Sequence, residues 1–242
     1  MPADASAVLL AAGRGRRMAA SSGAPVARNK ALRSLAGRPL LAHALAALHA
    51  APSIVQVVLV LDAADVEALR REWDTTPAAL GAHLVVPGGA ERWLSSMAGC
   101  NATREDLPMV LIHDAARPLA RPELFEAVLD AARRHGAALA AAPLADTLKR
   151  ADPAGHVAAT VPREGLWCAQ TPQAFRRELL LASFAAWPTA AGLPTDEASL
   201  VEAAGTAPQL VAAPATNFKL TTAADLELAE SLLARRARSG TP

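Results

Sequence analysis

The sequence predicts an α/β fold, a mostly parallel sheet flanked by helices, with a β-arm added to it. Short apolar runs alternate with segments whose apolar residues recur every three or four positions, the pattern of strands joined through crossover helices. At 52% hydrophobic and 19% charged over 242 residues, the chain can bury a sizeable core. It shows no internal repeat and no Gly/Ser/Pro linker, so residues 1–242 read as one domain.

Taken in order, the first strand spans Ala7–Ala11 and runs straight into a Gly-rich basic loop. A helix over Pro39–His49 follows, with Pro39 in its first turn, where a missing N–H costs nothing. The strands Ile54–Leu61, His83–Val86, Met109–His113 and Ala138–Pro143 then alternate with the helices Ala64–Trp73, Arg92–Asn101 and Pro122–Gly136. After Pro143 the pattern changes. Thr147–Arg150, a turn around Asp152, Pro153 and Gly155, and His156–Val161 read as a hairpin, placing the arm at about 144–165. Helices resume at Arg176–Ala186, Thr195–Ala204 and Thr222–Arg236, with short strands near Gln209–Ala213 and Phe218–Leu220.

Composition removes several functions. A formal charge of +1 gives no field to recruit nucleic acid or an anionic membrane, and 3% aromatics with no Tyr argues against base-stacking platforms. Cys100 and Cys168 have no metal-ligand spacing and build no disulfide framework. The apolar run Ala7–Ala12 is too short for a signal-peptide core, and nothing approaches the ~18 consecutive apolar residues of a membrane helix. The expectation is a cytoplasmic protein with neither a nucleic-acid nor a membrane partner.

The chemistry gathers in three places. Gly13 and Gly15, among the cations Arg14, Arg16 and Arg17, let backbone N–H groups approach a phosphate chain. The loop is neither a Walker loop, lacking Gly-Lys-Ser/Thr, nor a dinucleotide fingerprint, since Met18 stands where a third Gly is required. On its own it equally fits a turn with solvated arginines. Of 24 basic residues only Lys30, Lys149 and Lys219 are lysines, either as remnants of codon bias or because those places need a compact ammonium. The third place is Ile112-His113-Asp114-Ala115-Ala116-Arg117-Pro118, where a strand delivers Asp114 to its carboxyl end, the ligand side of an open α/β sheet. His113 is given no catalytic role.

Cations and glycines thus dominate, and there is no Gly-x-Ser-x-Gly elbow, zinc spacing or close carboxylate pair. That suits nucleotidyl transfer to a phosphate. The attacking oxyanion is already ionised at neutral pH, so the protein has to align two mutually repelling anions and neutralise charge at the attacked phosphorus. Arg and Lys side chains, loop N–H groups and a Mg²⁺ on the phosphates suffice.

Six strings carry a resemblance: Ala11–Met18, His113–Pro118, Asp146–Arg150, Leu166–Phe175, Thr195–Ser199 and Asn217–Glu230. In this order, and over nearly the whole chain, they resemble the 2-C-methyl-D-erythritol 4-phosphate cytidylyltransferase family. The first alone marks only the wider sugar-nucleotidyltransferase superfamily. The resemblance implies a Rossmann-like (GT-A-type) domain whose β-arm interlocks two subunits into a homodimer, and transfer of cytidylyl from CTP to the polyol phosphate with release of pyrophosphate. Carried over, Ala11, Ala12, Gly13 and Gly15 line the CTP pocket, and Gly89 and Ser95 meet the cytidine. Arg17 and Lys30 stabilise the triphosphate charge. Asp114 and Arg117, with Lys219, hold methylerythritol phosphate, while Thr147 and Arg163 complete that pocket from the partner subunit. The catalytic candidates are Arg17, Lys30, Arg163 and Lys219. Mg²⁺ is expected on the CTP phosphates, with no protein metal ligand. The chain departs from the family at Asn29-Lys30-Ala31-Leu32, where Pro-Lys-Gln-Tyr is usual. A ribitol 5-phosphate cytidylyltransferase shares almost every motif, and a non-catalytic nucleotide-binding module is the reading from another class.

Overall fold

The computed structural model describes residues 2–13, 29–188 and 192–239. Along the chain the strands are β1 (Ala5–Leu10), β2 (Ser34–Leu35), β3 (Arg38–Pro39), β4 (Ile54–Val60), β5 (Leu84–Val86), β6 (Met109–Asp114), β7 (Ala137–Pro143), β8 (Leu148–Ala151), β9 (Val157–Val161), β10 (Trp167–Arg176) and β11 (Gln209–Ala212). The α-helices are α1 (Leu40–His49), α2 (Ala63–Trp73), α3 (Arg92–Asn101), α4 (Pro122–His135), α5 (Arg177–Ala186), α6 (Glu197–Ala203) and α7 (Ala223–Ser239), with a 3-10 turn over Lys30–Leu32.

A seven-stranded sheet runs β11–β7–β10–β6–β1–β4–β5. Within it β10 is antiparallel to both β6 and β7, and the other neighbours pair in parallel. The strand period of two divides the core cleanly. Ala7 and Leu9 of β1 face one side, where they pack with Leu41, Leu45 and Leu48 of α1 and Phe125, Val128 and Leu129 of α4. Val8 faces the other, with Val60, Cys100 of α3, and Leu180 and Phe184 of α5. Helix α4 shows why such segments fold locally. Pro122 occupies its first turn, one face buries Leu124, Phe125, Val128, Leu129 and Ala132, and Gly136 at φ +87° ends it by donating to the Ala132 carbonyl.

The α/β class and the mostly parallel sheet agree with the sequence reading, and the helix Arg92–Asn101 falls on its expected bounds. Other details differ. The ten-residue strand β10 has no counterpart among the expected strands. It crosses a register shift between Ala169 and Gln173 around Pro172, so its alternation is broken where a strand signal would be sought. Phe218–Leu220 makes no ladder; Leu220 instead donates one backbone bond to the Ala116 carbonyl. Pro39 closes the β2–β3 hairpin and caps α1 rather than entering it. Helix α6 starts at Glu197, two residues late, because Asp196 accepts from the Ser199 N–H as its cap.

Strands β8 and β9 form the expected hairpin outside the main sheet. Every residue of both strands is exposed except the half-buried Val161. Among the described residues no helix is long and apolar enough to cross a membrane.

Candidate active site

The parallel strands β1, β4 and β6 end together. Beyond them Ala11 donates to the Val60 carbonyl and Ala115 to that of Leu10, each at 3.0 Å. A cleft of about 740 Å³ opens over these carboxyl ends, a size suited to a nucleotide. It is lined by Ala11, Ala12, Gly13, Lys30, Gly89, Ser95, Asp114 and Lys219, all named from the sequence. Gly15 and Arg17 lie outside the described residues.

Lys30 reaches the cleft because of the unusual residues around it. The Asn29 side chain donates to the Ala11 carbonyl at 2.6 Å and to Asp65 at 2.7 Å, and accepts from the Ala31 N–H at 2.9 Å. Ala31 and Leu32 are buried, and the Trp73 indole N–H donates to the Leu32 carbonyl. One amide therefore caps the 3-10 turn carrying Lys30 and ties it to the end of β1.

On the opposite wall, Gly89 N–H donates to the Ser95 hydroxyl oxygen at 3.0 Å, and Gly88 N–H to Asp62 Oδ1 at 3.1 Å. A Cβ on Gly88 would stand 2.4 Å from the Ala12 Cβ, so only glycine lets the two loops meet.

The charged centre is a chain of four side chains. Lys219 Nζ lies 2.5 Å from Asp114 Oδ2; Arg92 Nη2 lies 3.2 Å from Asp114 Oδ1; Arg92 Nη1 lies 2.7 Å from Glu197 Oε1. Thr171 Oγ1 accepts from the Asp114 backbone N–H at 3.0 Å. Burial alone would raise the Asp114 carboxyl, but Arg92 and Lys219 outweigh it and hold it well below the usual carboxylate range. Burial likewise opposes the charge on Arg92, and Asp114 and Glu197 more than reverse that, holding it firmly protonated. Burial pushes Glu197 above its ordinary value against the pull of Arg92.

Lys219 arrives on a stitched segment. Arg117 Nη1 donates to the Asn217 carbonyl at 2.6 Å, and the Asn217 amide donates to Gln170 Oε1 and to the Thr171 carbonyl. Arg117 is thus buried behind the cleft rather than on its wall, and its direct partner is the strap that carries Lys219. Burial lowers its guanidinium from the ordinary value. Within one chain Thr147 and Arg163 also lie away from the cleft. Both are exposed at the base of the arm, where Arg163 donates to the Ala145 carbonyl.

The sequence reading gave no role to Arg92, Glu197, Thr171, Asn29 or Asp62. Arg92 and Glu197 stood within recognised strings or beside them, but only tertiary structure joins residues so far apart. Among the described residues no cluster of three His, Cys, Asp or Glu side chains could hold a metal, and both Asp114 oxygens face cations.

The model of the family described as IspD, 2-C-methyl-D-erythritol 4-phosphate cytidylyltransferase, matches residues 5–235. A protein of that name from Aromatoleum aromaticum is 45% identical over 236 residues, covering 95% of each chain. Another from Nitrosomonas eutropha is 44% identical over 237 residues, covering 96% of this chain and 97% of its own. The crystal structure of the enzyme so named from Thermus thermophilus superposes with a TM-score of 0.75 at 35% identity, covering 94% of this chain and 98% of that one. Sequence, cleft and architecture therefore agree: the chain belongs to the 2-C-methyl-D-erythritol 4-phosphate cytidylyltransferase family.

Proposed function

We infer that this chain joins CTP to 2-C-methyl-D-erythritol 4-phosphate, giving CDP-methylerythritol and pyrophosphate for isoprenoid biosynthesis. The observation that carries this reading is the Asp114–Lys219 pair, 2.5 Å apart in a cleft at the strand ends of a chain 45% identical to a relative bearing that name. A phosphate oxygen of the acceptor attacks the α-phosphorus of CTP. The bond from that phosphorus to the bridging oxygen breaks, and pyrophosphate leaves with the electron pair. No base is needed, because the nucleophile is an anion already. Lys30 and Lys219 neutralise charge along the phosphates, and the backbone N–H groups of Ala12 and Gly13 can meet their oxygens. Asp114, kept ionised, accepts from acceptor hydroxyls and holds Lys219 in place. Arg17 is the further cation assigned to the triphosphate. Mg²⁺ enters on CTP, as part of the substrate.

The arm is proposed to work in a homodimer. Val157 is 64% exposed and Leu148, Leu166 and Trp167 are also open, apolar surface that a second copy would cover. Thr147 and Arg163 would then complete the partner's cleft. A cytoplasmic location suits an enzyme that draws on CTP. The names of the relatives favour methylerythritol phosphate over ribitol 5-phosphate as acceptor, and Lys30 and Lys219 on the cleft wall speak against a non-catalytic module.

The test is pyrophosphate release from CTP and Mg²⁺ with each acceptor separately. Release with methylerythritol 4-phosphate, and at most slow release with ribitol 5-phosphate, is expected. Preference for ribitol 5-phosphate would move the protein to another pathway, and release with neither would remove the activity.

A further inference from the structure

We propose that Asp62 selects the base: its carboxylate accepts a hydrogen bond from the exocyclic amino group of the pyrimidine, so that cytosine is taken and uracil refused. The proposal rests on the nucleotidyl-transfer reading above and names a specificity residue for it.

Asp62 immediately precedes α2 at the N-cap, and Asp is among the best capping residues. Yet its side chain makes no capping bond. It turns instead into the cleft, where Oδ1 accepts from the Gly88 N–H at 3.1 Å. A carboxylate offers about four acceptor positions, so one backbone bond leaves capacity for a ligand donor. The Gly88 loop, not the helix, therefore positions the carboxylate at the cleft wall.

The distribution of charge says which part of a nucleotide meets it. Lys30 and Lys219 lie on the cleft wall, and the Arg92 guanidinium is turned to Asp114 and Glu197. Anionic phosphates belong with the lysines. Around Gly88, by contrast, the surfaces are Ala12, the Ser95 hydroxyl and Asp62: their atoms lie 2.4, 3.2 and 3.5 Å from the position a Gly88 Cβ would take. Among the described residues this edge of the cleft is made by the small Ala12, Gly88, Gly89, Ala90 and Ser95 with the acidic Asp62 and Glu91 and no lysine, a lining that would repel a phosphate and suit a flat neutral ring. Cytosine presents an N–H₂ donor at C4 where uracil presents a carbonyl oxygen. Facing a carboxylate, the first makes a hydrogen bond and the second sets two acceptors against each other.

Asp62→Asn separates this role from support of the Gly88 loop. Its Oδ1 can still accept from the Gly88 N–H, while its NH₂ now opposes the cytosine amino group and suits the uracil O4. The measurements are kcat/KM for CTP and for UTP with methylerythritol 4-phosphate, and the thermal stabilisation given by each nucleotide alone, in wild type, Asp62→Asn and Asp62→Ala. In Asp62→Asn the CTP/UTP ratio should fall by about tenfold or more, through a raised KM for CTP, with UTP binding improved. In Asp62→Ala preference should be lost without a gain for UTP. An unchanged ratio, or a parallel loss for both nucleotides, would overturn the proposal. Because thermal stabilisation needs no turnover, it judges Asp62 even if wild type releases no pyrophosphate, a result that would count against the transfer reading instead.

Discussion

Lys219 and Asp114 face each other at 2.5 Å, although 105 positions separate them. The contact is made by strap and strand together. Asp114 is the last residue of β6, and Lys219 comes from a segment fixed by the buried Asn217 and the Leu220 backbone. Asp114 thus fixes the Lys219 ammonium at the cleft wall. A cation fixed by a buried carboxylate is what electrostatic preorganisation requires.

Arg92→Met should leave Glu197, whose side chain is 1% exposed, buried without its cation. The expected loss is about 3 kcal/mol of stability, measured by urea unfolding. Adding Glu197→Gln should recover much of it, with a coupling of about 2 kcal/mol in the double-mutant cycle. Additive effects would show that the two side chains do not act as a pair.

Gly88→Ala should disturb the nucleotide side of the cleft and little else. Its Cβ would lie 2.4 Å from the Ala12 Cβ, so a loop must shift. The KM for CTP should rise about tenfold or more while the far-ultraviolet circular dichroism spectrum is retained. An unaltered KM would mean that the two loops part freely.

Acid should destabilise the fold through His113. Buried against Phe125, with Nε2 at 3.1 Å from the Arg117 carbonyl, its imidazole is pushed down by burial to about 4. Between an unfolded value of about 6.5 and that value, the unfolded chain binds a proton the folded chain refuses, so stability falls as pH falls, by up to about 1.4 kcal/mol per pH unit. Glu197, shifted upward, opposes this, and Asp114 adds to it only below the ordinary carboxylate range. Chemical denaturation from pH 7 to pH 4.5 should show a shallower decline in His113→Gln than in wild type. Equal slopes would place the proton uptake elsewhere.

Much of this was legible beforehand. Buried strands such as Met109–Asp114 are written as continuous apolar runs, and amphipathic helices such as Pro122–His135 carry their own start and stop signals. The site's cleft-lining glycines and lysines were legible too, because close backbone approach and point charge demand particular residue types. What escaped depends on distant partners. Trp167–Arg176 is half exposed and interrupted by Pro172, and it becomes a strand only through its neighbours β6 and β7. Glu197 reads as an ordinary acidic residue in a first helical turn until folding sets Arg92 beside it. Arg117 follows Asp114 closely in sequence, yet its guanidinium turns away to the Asn217 carbonyl.

If arm residues serve the partner's cleft, two inactive variants should repair each other. Arg163→Ala spoils an arm and Lys219→Ala spoils a cleft, so a mixed dimer keeps one complete site. Co-expressed in equal amounts, the pair should recover about a quarter of wild-type turnover, since about half the dimers are mixed and each has one working site. No recovery, with dimers present by sedimentation, would assign Arg163 to its own chain's cleft.

The central claim is that cytidylyl transfer occurs over Asp114 with Lys219 supplying the charge. Steady-state turnover of Lys219→Ala with saturating CTP, Mg²⁺ and methylerythritol 4-phosphate, beside its circular dichroism spectrum, tests it most directly. A fall of about 100-fold or more with the fold intact is predicted. Near-wild-type turnover in a folded variant would contradict it.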